Sequence, residues 1–248
     1  MKYPAWFERD AAAYAAQALL GPFPLTSPSA EFYPCLDDRV GHAARVDPHY
    51  FFQDIWAARR VWDHWAAWEY EDVPKQHVDV GSSVAGFVAH LLAMRVPVTY
   101  VDIRPLGLHV DGLTCLRTDA TTLEGIADAS VHSLSCLHAL EHFGLGRYGD
   151  TVDAEAPWRA MDAFARVLAT GGRLYFSVPV GRQRVVFNAH RVFAPGTVRR
   201  GFEQRGLKMV DFSIVRQEHG ALEEDVGFLE LLDEDYACGL FEFVKEAP

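Results

Sequence analysis

From residue 77 onward, short apolar runs alternate with longer segments whose apolar positions recur every three to four residues. This is the pattern of βαβ units and a mainly parallel sheet. The expected strands are HVDVG (77–81), VPVTYVDIR (96–104), a short piece of LTCLRTDA (113–120), SVHSLSCLHAL (130–140), RLYFSVPVG (173–181), LKMVDFSIV (207–215) and CGLFEFVK (238–245). Between them SSVAGFVAHLLAMR (82–95), TLEGIADA (122–129), APWRAMDAFARVLATGG (156–172) and APGTVRRGFEQRG (194–206) read as helices, the last two stopped by glycine.

The first 70 residues follow another pattern: a helical FERDAAAYAAQALL, a Pro/Ser loop GPFPLTSPSAEFYP and an aromatic helix HYFFQDIWAARRVWDHWAAWEY. That last segment carries too many rings to be fully solvated, so Tyr50, Phe51, Phe52 and Gln53 are expected to pack on the core or cover a site. The expected organisation is an N-terminal helical extension or lid over 1–70 and an α/β domain over 71–248.

Composition narrows the function classes. No apolar run approaches the length of a membrane span, and Glu8, Arg9 and Asp10 interrupt the stretch where a secretory signal would be apolar, so a cytoplasmic protein is expected. Cys35, Cys115, Cys136 and Cys238 lie far apart with no Cys-x-x-Cys pair, which suggests neither a zinc knot nor a disulfide framework. A formal net charge of −11 argues against nucleic acid as partner. The charge is uneven: residues 218–235 hold eight acids and no Lys or Arg, whereas residues 182–205 hold six arginines against one acid, Glu203. The arginine-rich stretch is suited to face an anionic acceptor.

In an open parallel sheet, ligands bind beyond the carboxyl ends of the strands. After the first comes DVGSSVAG, where Gly81 permits a tight turn and the next helix offers unpaired N–H groups. After the second comes Asp102, placed to accept the hydroxyl protons of a ribose, and after the third Asp119, placed to accept from an exocyclic amine. An adenosine-containing ligand would use all three. Ser83 occupies the second glycine position of a dinucleotide fingerprint, which disfavours a dehydrogenase or epimerase, and no P-loop sequence is present. Asp79, two residues before Gly81, would repel a pyrophosphate but suits the amino group of a methionine-type ligand.

This series resembles the class I S-adenosylmethionine (SAM) dependent methyltransferases, whose first motif is acid-x-Gly-x-Gly-x-Gly followed by acids after the second and third strands. LATGGRLYFSVPV looks like that superfamily's Gly-Gly turn into the fifth strand, and LKMVDFSIV with CGLFEFVK fits its closing reversed hairpin. More narrowly, DPHYFFQDIWAARR, HVDVGSSVAGFVAHL, VDIRPL, EHFGLGRYGD, SVPVG and FNAHRVF together look like an uncharacterised methyltransferase-like family often encoded beside surface-polysaccharide genes. The resemblance implies a Rossmann-like sheet of seven strands, mostly parallel with the last antiparallel, and helices on both faces. It also implies SAM held by Asp79, Gly81, Ser82, Ser83, Gly86, Asp102, Ile103, Asp119, Ala120, Cys136, Leu137 and His138. The implied reaction is O-methylation of a sugar or glycan in polysaccharide biosynthesis. Ser83 and Ala85 depart from the superfamily, which typically has glycines there.

Methyl transfer to a hydroxyl needs alignment and a general base. His138, Glu141 and His142 follow the fourth strand, where the wider superfamily often has a Leu-Glu-His turn touching cofactor and substrate. His142 and His190 are the candidate bases, with Glu141 beside the first. Asp150, Asn188 and Arg191 are candidate acceptor contacts. A zinc site on His138, Glu141 and His142 is disfavoured, because the histidines would straddle a strand-to-helix turn. No metal ligands are assigned, and the sequence leaves a divalent-metal requirement open. A catalytically silent SAM-fold module, partnering a glycan enzyme, is the alternative to an enzyme.

Overall fold

β-Branched and aromatic residues concentrate in the strands, and in a computed structural model these runs assemble into one sheet. The residues described are 3–18, 25, 34–36, 46–68, 75–217, 220–224, 226–231 and 233–247. The chain divides into two compact units, 1–46 and 47–248. The first contains α1 (Ala5–Ala18), in whose first turn Trp6 and Phe7 meet edge to face with ring centroids 5.9 Å apart. The second contains α2 (Pro48–Ala66) and the sheet. The boundary between these units lies between Val46 and Asp47.

The strands are β1 (His77–Val80), β2 (Val98–Asp102), β3 (Leu113–Arg117), β4 (Val131–Leu137), β5 (Leu168–Val180), β6 (Arg184–Val186), β7 (His190–Val192), β8 (Leu207–Arg216), β9 (Leu222–Glu224) and β10 (Ala237–Lys245). The main sheet runs β3-β2-β1-β4-β5-β10-β8-β9, with β1 to β5 parallel and β10 antiparallel to both neighbours. It has eight strands where seven were expected. The extra one, β9, comes from the acidic segment and pairs with Ser213–Val215, and Arg216 holds it by bonding both Glu223 and Glu234. A separate hairpin, β6–β7, follows β5.

Short helices differ from expectation for visible reasons. Residues 122–129 form turns, because Leu123 and Ala129 take left-handed φ values of 45° and 50°, which a right-handed helix cannot propagate. The helix after β4, α4 (Ala156–Val167), ends before the glycine pair. Gly171 and Gly172 lie inside β5, where the register with β4 shifts and a Cβ on Gly172 would come within 2.9 Å of the Val131 carbonyl. Segment 82–95 becomes a single π-helical turn at Val84–Val88 followed by α3 (Ala89–Ala93).

Helix α2 starts cleanly: Asp47 accepts the His49 amide at 2.9 Å and Pro48 occupies the first turn. Its buried face, including Gln53, Trp56, Ala57 and Val61, packs with Phe87, Leu91, Tyr100 and Tyr175 on one side of the sheet. The other side is covered by α4 and α5 (Pro195–Glu203), through Met161, Phe164, Val198 and Phe202. Among the described residues no helix is long and apolar enough to cross a membrane.

The π turn marks where α2 presses on the first loop. A Cβ on Gly86 would lie 2.0 Å from Asp54 Oδ2, a buried carboxylate of α2. Gly86→Ala is expected to destabilise the protein by about 1–3 kcal/mol in denaturant unfolding. The loss should shrink in an Asp54→Ala background. Simple additivity of the two changes would sink this account.

Candidate functional site

The end of β1 is braced from behind. Asp79 is fully buried and accepts from Ser82 Oγ at 2.5 Å, from the Ser82 amide at 3.1 Å, and from Ser135 Oγ of β4. Ser82 Oγ in turn accepts the Leu137 amide at 3.1 Å. His77 lies between Ser133 and Ser135 at 2.7 and 2.8 Å. Since Ser135 spends its proton on Asp79, His77 must donate from Nε2 to Ser135 and accept from Ser133 at Nδ1. Burial pushes the Asp79 carboxyl up to about 6 against these donors, and holds His77 neutral by lowering it to about 3. Gly81 then turns at φ 70°, with the place of a Cβ only 3.1 Å from Ala139 Cβ.

In front of this loop lie two adjoining cavities. The larger, about 760 Å³, is bordered by Gly81, Asp102, Ile103, Asp119, Ala120, His138 and Asp150. This size suits a nucleoside-sized ligand. Asp119 closes a turn by accepting the Thr121 amide at 2.7 Å. Asp102 is engaged: Oδ1 accepts the Arg104 amide at 2.8 Å and Nε at 2.9 Å, while Oδ2 accepts Arg104 Nη2 at 2.6 Å and lies 3.2 Å from the Tyr100 hydroxyl. Burial alone would raise the Asp102 carboxyl, but Arg104 overrides it and the net shift is downward.

The smaller cavity, about 460 Å³, is bordered by Tyr50, Ser82, Ser83, Leu137, Glu141, Arg147, His190 and Tyr236. Gly81, Arg104, His138, His142 and Tyr148 belong to both cavities. His138 sits there in a left-handed conformation, φ 48°, uncommon for a side-chain-bearing residue. Its amide donates to Ser177 Oγ at 3.0 Å, and Ser177 donates to Gln53 Oε1 at 2.5 Å, so α2 helps hold it. Glu141 is 2% exposed, and burial raises its carboxyl to about 8. Its Oε1 lies 3.7 Å from both His138 Nδ1 and His142 Nε2. Neither Glu141 Oε2 nor His138 Nε2 has a hydrogen-bond partner among the described residues.

His142 is oriented. Its Nδ1 lies 2.6 Å from the Ala189 carbonyl, which can only accept, so Nδ1 carries the proton and Nε2 keeps its lone pair. Burial is the main reason its basicity falls to about 4, with Arg147 adding to it against the Ala189 contact. His190 packs edge to face on Tyr236, with centroids 5.5 Å apart, and burial followed by Arg184 and Arg147 lowers it too.

Several expected site residues do their work outside the cavity walls. Asp79 acts through Ser82; Gly86 makes room for Asp54; Cys136 is a buried core thiol. Asn188 is exposed at the tip of the β6–β7 hairpin. Arg191 donates to the Phe143 carbonyl at 2.6 Å and the Glu141 carbonyl at 3.3 Å, and so ties that hairpin to the Leu140–His142 turn. Asp150 borders the larger cavity while accepting the amides of Gly144 at 2.7 Å and Tyr148 at 3.2 Å. The sequence reading overlooked Arg104, Arg147, Tyr148 and Tyr236. The first three stand inside VDIRPL and GRYGD and were within reach of it, whereas nothing in the acidic segment distinguishes Tyr236. No cluster of three or more metal-ligating side chains occurs among the described residues.

Residues 128–223 match a family model described as a Caenorhabditis protein of unknown function, DUF268, a span running from before β4 through the hairpin to β9. No curated protein matches in sequence. Solved structures are similar in fold. A Burkholderia thailandensis 1,6-didemethyltoxoflavin-N1-methyltransferase, with bound 1,6-didemethyltoxoflavin and S-adenosylhomocysteine, has a TM-score of 0.57 at 14% identity, covering 100% of this chain and 93% of its own. A putative sarcosine dimethylglycine methyltransferase from Galdieria sulphuraria has a TM-score of 0.54 at 14% identity, covering 79% and 86%. The [4+2]-cyclase SpnF has a TM-score of 0.52 at 15% identity, covering 77% and 82%. The presence of a cyclase beside methyltransferases illustrates that such likeness speaks to architecture and leaves chemistry to the site. The chain has the class I methyltransferase fold.

Proposed function

We propose that this chain is a SAM-dependent O-methyltransferase acting on a sugar or glycan hydroxyl, as in polysaccharide assembly. The observation that carries the proposal is the pair of adjoining cavities sharing Gly81, His138 and His142. One has an acid at each of two neighbouring strand ends, and the other has an oriented neutral imidazole. The larger cavity would hold the cofactor's adenosine: Gly81 would let the backbone come close, Asp102 would accept from the ribose and Asp119 from the adenine amine. When bound, SAM supplies a sulfonium-activated methyl group.

The chain's own residues do the rest. His142 Nε2, its tautomer fixed by Ala189, accepts the acceptor's hydroxyl proton. His190 faces the same cavity with no hydrogen bond fixing its nitrogens among the described residues, which favours His142 as the base. Glu141 Oε2 and His138 Nε2 are buried beside it with no hydrogen-bond partner among the described residues. Tyr50 and Tyr236 give the cavity walls that offer both apolar surface and hydroxyls, a mixture suited to a sugar ring. Asp102 saturated by Arg104 is the observation that favours the second reading, a silent module.

The two readings separate on incubation with methyl-labelled SAM and a panel of sugars. Label transfer supports the enzyme; SAM binding without transfer to any acceptor supports the module. Asp102→Ala is expected to weaken S-adenosylhomocysteine binding by about tenfold or more in calorimetry, roughly the worth of a charge-assisted hydrogen bond. Unchanged affinity removes Asp102 from the ribose role. His142→Ala should lower kcat by about 10²- to 10⁴-fold. Because burial holds His142 down to about 4, it stays a competent base well below neutrality. The acid limb of kcat/KM should therefore appear only below about pH 5 rather than near the ordinary histidine value of about 6.5. A limb at 6.5 would point to a more exposed base.

A further inference from the structure

Arg104 and Arg147 converge on one aromatic ring. Their guanidinium carbons lie 4.3 and 5.2 Å from the Tyr148 ring centroid, and all three residues border the smaller cavity. Arg147 has no carboxylate within ion-pair distance among the described residues; it donates at 2.9 Å to the Ala189 carbonyl already used by His142. This is not for want of acids, since the chain has 34 against 23 lysines and arginines. The nearby Asp150 is turned away onto the amides of its own loop, and Glu141 is buried. A guanidinium left without its usual counter-ion at a cavity rim is a ready receptor for a planar or tetrahedral oxyanion.

Arg104 is paired, but with the group that the cofactor reading assigns to ribose. Its side chain takes one site on each Asp102 oxygen, and its backbone amide and the Tyr100 hydroxyl take the others, so release of the guanidinium would free one site on each oxygen for a ribose diol. Its side chain is 49% exposed, which leaves it room to move, and the Tyr148 face already holds it beside the acceptor cavity.

We propose that Arg104 and Arg147, both packed against Tyr148, form the subsite for an oxyanion carried by the acceptor, and that cofactor binding completes it by releasing Arg104 from Asp102. This rests on the SAM reading above and adds the acceptor's class: a carboxylate- or phosphate-bearing molecule. Cofactor and anion then help each other to bind, by the same factor in both directions.

The test is calorimetric titration of S-adenosylhomocysteine into the full chain in chloride buffer, then with inorganic phosphate or D-glucuronate at matched ionic strength. One of the two anions should tighten S-adenosylhomocysteine binding about fivefold or more, within the usual range of coupling between sites. Phosphate alone identifies a phosphate-bearing acceptor and glucuronate alone a carboxylate-bearing one. Arg147→Gln should abolish the coupling. Arg104→Gln should abolish it too, while tightening S-adenosylhomocysteine in chloride because Asp102 is then free. Binding of S-adenosylhomocysteine that no anion changes, or that chloride changes equally, overturns this proposal alone; no binding under any condition overturns it together with the SAM reading.

Discussion

Much of the site depends on one buried carboxylate. Asp79 is taken wholly out of water at the end of β1, a position costing several kcal/mol unless its oxygens are satisfied. The Ser82 hydroxyl, the Ser82 amide and the Ser135 hydroxyl satisfy them, with each charge-assisted bond contributing roughly 1.5–3 kcal/mol. The consequence is geometric. With loop, β1 and β4 tied together from behind, the Gly81 turn and the first turn after it face the cavities in a fixed attitude. Serine at 82 is thus part of the machinery that shapes this loop.

A second buried polar contact works from the opposite side. Gln53 of α2 reaches Ser177 of β5, which holds the His138 amide, and Asp54 reaches the loop at Gly86. Helix α2 is therefore part of the α/β unit, and it supplies Tyr50 to the cavity as well. Arg191 ties the β6–β7 hairpin to the turn bearing Glu141, and Ala189 of the same hairpin sets the His142 tautomer. Polar groups held this way are fixed by the fold and need not reorganise when a ligand arrives.

The parts of the fold legible in the sequence were those with a strong local period. Strands such as VTYVD and LYFSVPV are mostly apolar because both faces of the sheet are covered. The 122–129 segment has helix-compatible residues, yet packing of the fully buried Leu123 imposes a left-handed backbone there. Strand β9 lies in a segment whose charges suggest a solvated loop; its pairing depends on Arg216, several residues away in sequence. In the site, Asp102, Asp119 and His142 were legible because a strand end is a local feature. The arginine on Asp102 and the carbonyl on His142 were not, since both are facts of orientation.

The sequence by itself determined the alternation of strands and helices, and with it the line of strand ends along which acids and histidines would gather, because hydrophobic periodicity acts over a few residues. Only the tertiary structure decided what each of those groups does. Asp79 became a brace and Asp102 an occupied carboxylate, Glu141 was buried into a neutral acid, and His142 received one fixed proton position. Those outcomes depend on burial and on partners up to 56 residues away, such as Ser135 for Asp79, which no local pattern encodes.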